Sequence, residues 1–190
     1  MRQIKSVRKL TTMGVLAAIS VVLVAVVHFP ILPAAPFLEY DPADVPIFLA
    51  TFMFGPMSGL LLTVVASIVQ GVTVSASSGV IGIVMHILAT GAFVLVAGFT
   101  YQARRTRKIA YLSLGLGALT MTTVMCLWNV IFVPLFNPAM DRAFVISMLP
   151  TVFIPFNLIK SGANAVITAV LYKSISNLVF RTSDDKEISL

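Results

Sequence analysis

The chain has 190 residues, 58% hydrophobic and only 11% charged, with a mean hydropathy of +1.01. Soluble domains carry about 25% charged residues, so a water-soluble globule is excluded and a helical membrane domain is expected. The net charge of +6 sits in a few clusters without aromatics between them, which argues against nucleic acid as a partner, and the lone Cys126 can form neither an internal disulfide nor a thiolate metal site.

In chain order, Arg2, Lys5, Arg8 and Lys9 precede an apolar run at 10–28. That run is longer than a signal-peptide core of about 7–15 residues, and more spans follow, so it reads as an uncleaved first helix. Gly14 and Ala18 form a small-xxx-small pair beside Ala17, the pattern that lets helices approach closely, either inside a bundle or against another membrane protein.

The segment 29–44 reads as an outer loop stiffened by Pro30, Pro33, Pro36 and Pro42 and made apolar by Ile31, Leu32, Phe37, Leu38 and Tyr40. It holds three carboxylates, Glu39, Asp41 and Asp44. One reading makes 38–41 a lid. The other packs the loop on the bundle, with Asp44 capping the next helix and Pro46 in its first turn.

The stretch 45–72 breaks at Gly55-Pro56, because proline lacks an N–H and disfavours helix at the preceding residue. Charge decides how many spans it holds. Cytoplasmic loops collect Lys and Arg. The N-terminal cluster, the 104–108 loop and the tail with Lys173, Arg181 and Lys186 share one side only if 45–54 and 57–72 form a short hairpin. The further spans are 79–103, 109–133 and 151–180, with outer connections at 73–78 and 134–150 and a disordered end after Arg181. The expected fold is therefore all-α and integral to the membrane, a single domain of six transmembrane helices with both termini cytoplasmic.

Polar groups within spans are costly and mark candidate sites. Gln70, His86, Asn129, Asn157, Lys160 and Asn164 all fall between the outer surface and the midplane of this topology. Asn157, Lys160 and Asn164 are spaced i, i+3, i+7 and share one helix face. Interhelical bonding accounts for a lone Asn, but three polar groups with a lysine favour a ligand site. An apolar lid over amides and an ammonium suits a flat heterocycle with a polar edge, since an amide offers donor and acceptor together. His86 reads as a core histidine, His28 as interfacial, and Trp128 as an interface anchor or a stacking partner beside Asn129.

No P-loop, HExxH, GxSxG or Cys/His cluster is present in the sequence, so neither an enzyme nor a metal site is expected. No carboxylate falls inside an expected span, which argues against an ion-coupled relay.

LEYDPADVP at 38–46, FGPMSG at 54–59, LWNVIFVP at 127–134 and PFNLIKSGAN at 155–164 together carry a resemblance over nearly the whole chain. The sequence resembles the substrate-binding S components of energy-coupling factor (ECF) vitamin importers, most closely the riboflavin-specific members of Gram-positive bacteria. The resemblance implies a plasma-membrane protein that captures riboflavin, its transported ligand rather than a cofactor. It also implies a partner module of one transmembrane coupling protein and two ATPases, docked through small residues of the first helix, here Gly14, Ala17 and Ala18. On this basis Asn129, Asn157, Lys160 and Asn164 are expected to bond the ligand, with Leu38, Glu39, Tyr40 and Asp41 closing over it. An S component for thiamine, biotin or a folate, and a stand-alone facilitator, remain the alternatives.

Overall fold

The computed structural model describes residues 2–33, 35, 38–74, 79–136 and 140–187, with side chains described within 7–174. Ala34, Pro36 and Phe37 of the 29–44 loop, residues 75–78 of the small connection and residues 137–139 lie outside them.

Within these residues the chain runs α1 (Arg2–Val26), β1 (Phe29–Pro30), β2 (Glu39–Tyr40), α2 (Asp44–Phe54), α3 (Pro56–Val72), α4 (Gly79–Ala103), α5 (Arg107–Phe136), α6 (Arg142–Met148), a π-helical turn (Leu149–Phe153) and α7 (Ile154–Glu187). Four stretches are long and apolar enough to cross a membrane: Val7–Val26, Gly79–Ala103, Arg107–Leu135 and Arg142–Ser174. α2 and α3 are shorter apolar helices. Large apolar side chains point outward along the long helices, among them Leu127, Val166 and Val170, each more than 60% exposed. A bilayer solvates such a surface; water does not.

α2 lies in the middle of the bundle. Every residue from Asp44 to Phe52 is buried, against α1, α3, α4 and α7. An 11-residue helix is about 16 Å long, too short to span alone, and these neighbours cover it. The Phe48 and Phe93 rings stack with centroids 3.6 Å apart and form the centre of the core with Val94 and Ala97. Between α2 and α3, Gly55 adopts φ 94°, and Pro56 opens α3. A left-handed residue followed by proline is the arrangement that glycine at a helix end and proline at a helix start allow.

Two stretches depart from the sequence expectation. The connection at 134–150 is largely helical among its described residues: Pro134 lies inside α5, and α6 starts at Arg142, capped by the Asp141 carboxylate on the Phe144 N–H. Pro150 is absorbed by the π-helical turn, a local widening that accommodates the missing N–H. At the far end, the backbone after Arg181 is not a disordered tail, because α7 continues to Glu187.

β1 and β2 pair antiparallel, Phe29 opposite Tyr40 and Pro30 opposite Glu39. This clasp draws the loop back onto the end of α1.

Candidate functional site

Beneath the clasp is a cavity of about 790 Å³. Its walls come from the loop, the C-terminal end of α3, the first half of α4, the second half of α5 and the first turns of α7. The polar lining includes Glu39, Asp41, Gln70, His86, Asn129, Asn157 and Lys160, and the apolar lining includes Met121, Met125 and Phe156. Small-molecule sites have this character, at roughly 300–1,000 Å³ with a few converging polar groups on apolar walls. The basic 104–108 loop follows α4, 18 residues beyond His86, or about 27 Å along that helix.

The loop is tied to α7 by side chains. Lys160 Nζ donates to Asp41 Oδ2 at 2.7 Å and to the Glu39 carbonyl at 3.3 Å. Tyr40 Oη donates to Asn164 Oδ1 at 3.0 Å, and Asn164 Nδ2 donates to the Asp41 carbonyl at 3.1 Å. Of the three loop carboxylates, Asp41 is the one that meets the lysine. Burial first, and the adjacent Asp41 carboxylate second, raise the Tyr40 phenol above its ordinary value of 10.0, against the opposing pull of Lys160. The hydroxyl therefore stays a donor across the physiological range.

On the cavity wall, Asp44 joins three helices. Its Oδ1 accepts from His86 Nε2 and from Thr90 Oγ1, each at 2.9 Å, and its Oδ2 lies 3.5 Å from Asn164 Nδ2. Asp44 does not cap α2: Ala43 holds the cap position without a side-chain bond. Asp44, placed by the sequence one residue before the second expected span, is the first residue of α2 and 1% exposed. His86 is more than a packed core histidine. Its Nδ1 lies 3.0 Å from Ser67 Oγ, and the carboxylate, which only accepts, assigns the proton to Nε2. A second chain runs from Gln70 Nε2 to Ser20 Oγ at 3.1 Å and from Ser20 to the Ala43 carbonyl at 2.6 Å.

Leu38, Glu39, Asp41, Asn129, Asn157 and Lys160 thus line one cavity. Tyr40 and Asn164 do not line it; they brace each other behind it, with Asn164 fully buried. Gln70, His86 and Asp44 join the lining. The first two were visible as intramembrane polar residues, but their partners were not. Asn157 Nδ2 donates to the Phe153 carbonyl on its own helix. Asn129 Nδ2 is the buried side-chain atom without a hydrogen-bond partner among the described residues. Trp128 packs on Phe132 at 4.3 Å between centroids and is not part of the lining. No group of three His, Cys, Asp or Glu residues able to hold a metal occurs among the described residues. On α1, Gly14 and Ala18 are exposed, whereas Ala17 packs against the core.

Residues 8–172 match the family model described as "ECF transporter, substrate-specific component". The riboflavin transporter RibU of Staphylococcus aureus is 30% identical over 179 residues, covering 92% of this chain and 93% of that protein. The riboflavin transporter FmnP of Bacillus subtilis is 27% identical over 173 residues, covering 87% and 90%. Among solved structures, an S component of a bacterial ECF transporter superposes with a TM-score of 0.77 at 31% identity, covering 92% of this chain and 98% of that one. ThiT from Listeria monocytogenes superposes with a TM-score of 0.64 over the same shares at 13% identity, a likeness of fold alone. With its helical membrane architecture and a walled cavity beneath a tethered loop, this chain belongs to the family of substrate-specific components of ECF transporters.

Proposed function

We propose that this chain is the riboflavin-binding subunit of an ECF importer. It captures the vitamin at the cavity and delivers it for ATP-driven uptake by a separate module of one transmembrane coupling protein and two ATPases. It is a multi-pass membrane protein of the plasma membrane and a transport component, not an enzyme. Near-full-length similarity to two proteins named riboflavin transporters supports the ligand. The likeness to ThiT reflects the shared fold and carries no argument for thiamine.

The topology belongs to the same reading. Six spans, with α2 and α3 as the short pair, put both termini and the 104–108 loop on the cytoplasmic side by the charge rule. The cavity then opens toward the outside.

The single observation that carries the site is Asn129, an amide 3% exposed, on the wall of a cavity of ligand size, with its Nδ2 unbonded among the described residues. Buried donors are normally satisfied, and the uracil-like edge of riboflavin offers carbonyl acceptors to such a donor. Asn157 and Lys160 add further polar contacts, Leu38, Glu39, Tyr40 and Asp41 close the loop side, and Asn164 holds that loop in place. Lys160 exchanges part of its bonding to Asp41 for the ligand.

Riboflavin fluorescence during titration with the detergent-purified chain tests the proposal. Saturable quenching at one-to-one stoichiometry, competed by other flavins but not by thiamine or biotin, is the expected result. Asn129→Leu and Lys160→Ala each weaken binding by about 5–150-fold, the equivalent of losing about 1–3 kcal/mol from a buried partner. No quenching by the parent removes riboflavin as ligand, and unaltered affinity in both variants removes this site. Riboflavin uptake into liposomes holding this chain alone would favour a stand-alone facilitator instead.

A further inference from the structure

A second cleft lies at the opposite, basic end of the bundle, between α5 and α7, and the riboflavin reading does not use it. Arg107, Ala110 and Tyr111 line it from one face of α5, and Ala169, Tyr172 and Lys173 from one face of α7. The spacings i, i+3, i+4 on both helices put each trio on a single side. Ala110 and Ala169 are small, and between them lies a shallow, mainly apolar crevice of about 20 Å³, room for about one water, so an apolar chain can lie along its mouth and not inside it. Tyr111, 54% exposed, and Tyr172 flank it, and the Tyr172 hydroxyl is bonded to that of Tyr101.

Two cations from different helices therefore line one crevice together with two tyrosines. α5 begins at Arg107, so the positive end of its helix dipole lies at the same place. Arg107 and Lys173 already take part in interactions within the chain. Their guanidinium and ammonium groups have five and three donors, which leaves capacity for a phosphate as well. An anion with an apolar tail satisfies both halves of this surface, and the charged half selects against a zwitterionic headgroup. Basic clefts between membrane helices at such a depth recognise lipid headgroups, and tyrosine favours that interface.

We propose that the mouth of the α5–α7 cleft binds an anionic phospholipid, its phosphate held by Arg107 and Lys173 and one acyl chain lying along the outer surface beside the exposed Tyr111.

The test is native mass spectrometry of the full chain in detergent, titrated with dioleoyl phosphatidylglycerol or with phosphatidylcholine of the same chains. Each cation near an anionic headgroup contributes roughly fivefold in affinity, so the parent prefers phosphatidylglycerol by about tenfold or more. Arg107→Gln with Lys173→Gln brings the two lipids close to parity. Arg104→Gln with Arg105→Gln removes the same charge from the same end of the bundle and keeps the preference. Should the first pair fail to fold, Lys173→Gln alone, at an exposed position, carries the test with a roughly fivefold shift. Equal binding of both lipids by the parent overturns the proposal. So does a preference that the Arg104/Arg105 pair abolishes as fully, which would mean diffuse charge rather than a site.

Discussion

Tyr40 bridges the loop and α7. Its ring lies 5.5 Å from that of Phe29 across the β clasp, and its hydroxyl donates to the fully buried Asn164. Tyr40→Phe leaves that amide oxygen without its donor, at a cost of about 0.5–1.5 kcal/mol. The raised phenol also sets the sign of a pH effect. A group whose pKa is higher in the fold contributes fully below its unfolded value, here about 10, and loses that contribution as pH rises through the folded value. In thermal unfolding of the detergent-purified protein, the parent's advantage over Tyr40→Phe stays level from about pH 7 to 9 and shrinks above that. A gap that stays constant to about pH 11 would remove this strut. At this scale the sequence was partly legible. The i, i+3, i+7 stripe located Lys160 and Asn164, because helical spacing is local. Their partners lie 119 to 124 residues away, and no local pattern distinguishes Asp41 from Glu39 or Asp44 as the lysine's acceptor. Asp44 was read as a cap because a helix boundary shifts easily by one residue. That one residue separates a solvated cap from a carboxylate inside the bundle.

Among the elements, the α2–α3 pair depends on close approach. A Cβ on Gly98 of α4 would sit 2.6 Å from Pro56 Cβ, 2.9 Å from Pro56 Cα and 2.9 Å from Thr51 Cγ2. The proline backbone opens α3 and cannot swing aside as a flexible side chain would. Gly98→Val therefore forces α4 away from the hairpin, at a cost of about 1–3 kcal/mol, read as a lower unfolding midpoint. Gly115→Val on α5, where an added Cβ meets nothing within 4 Å, leaves the midpoint nearly unchanged. Equal shifts in the two variants would mean that the packing at Gly98 is not what matters. The glycine-proline break could be read from the sequence because proline chemistry is local, as could the long apolar helices. The helical course of 142–153 could not. Pro134, Pro138 and Pro150 mark a loop by propensity, whereas bundle packing holds Pro134 inside α5 and a π-helical turn takes up Pro150. Tertiary context overrides propensity at these positions.

At the scale of the whole molecule, α1 has two faces with different surroundings. Its inner side packs on α2 and α3 and supplies Val24 to the cavity wall. Its outer side carries Gly14, where an added Cβ would meet nothing within 4 Å, and the exposed Ala18 and Val22. Two small residues one turn apart leave a shallow groove in which another helix can approach closely. A bulky residue there obstructs a partner without touching the cavity, so binding and transport separate. In Ala18→Trp, riboflavin affinity in detergent stays within about twofold of the parent, while uptake by vesicles containing the ECF module falls by about tenfold or more, as blocked helix packing requires. Ala17→Trp behaves differently, because Ala17 packs against the core; it lowers the unfolding midpoint before any effect on docking can be read. Full uptake by Ala18→Trp would place the coupling surface on another helix. Loss of riboflavin binding in the same variant would show that the outer face of α1 is not independent of the cavity.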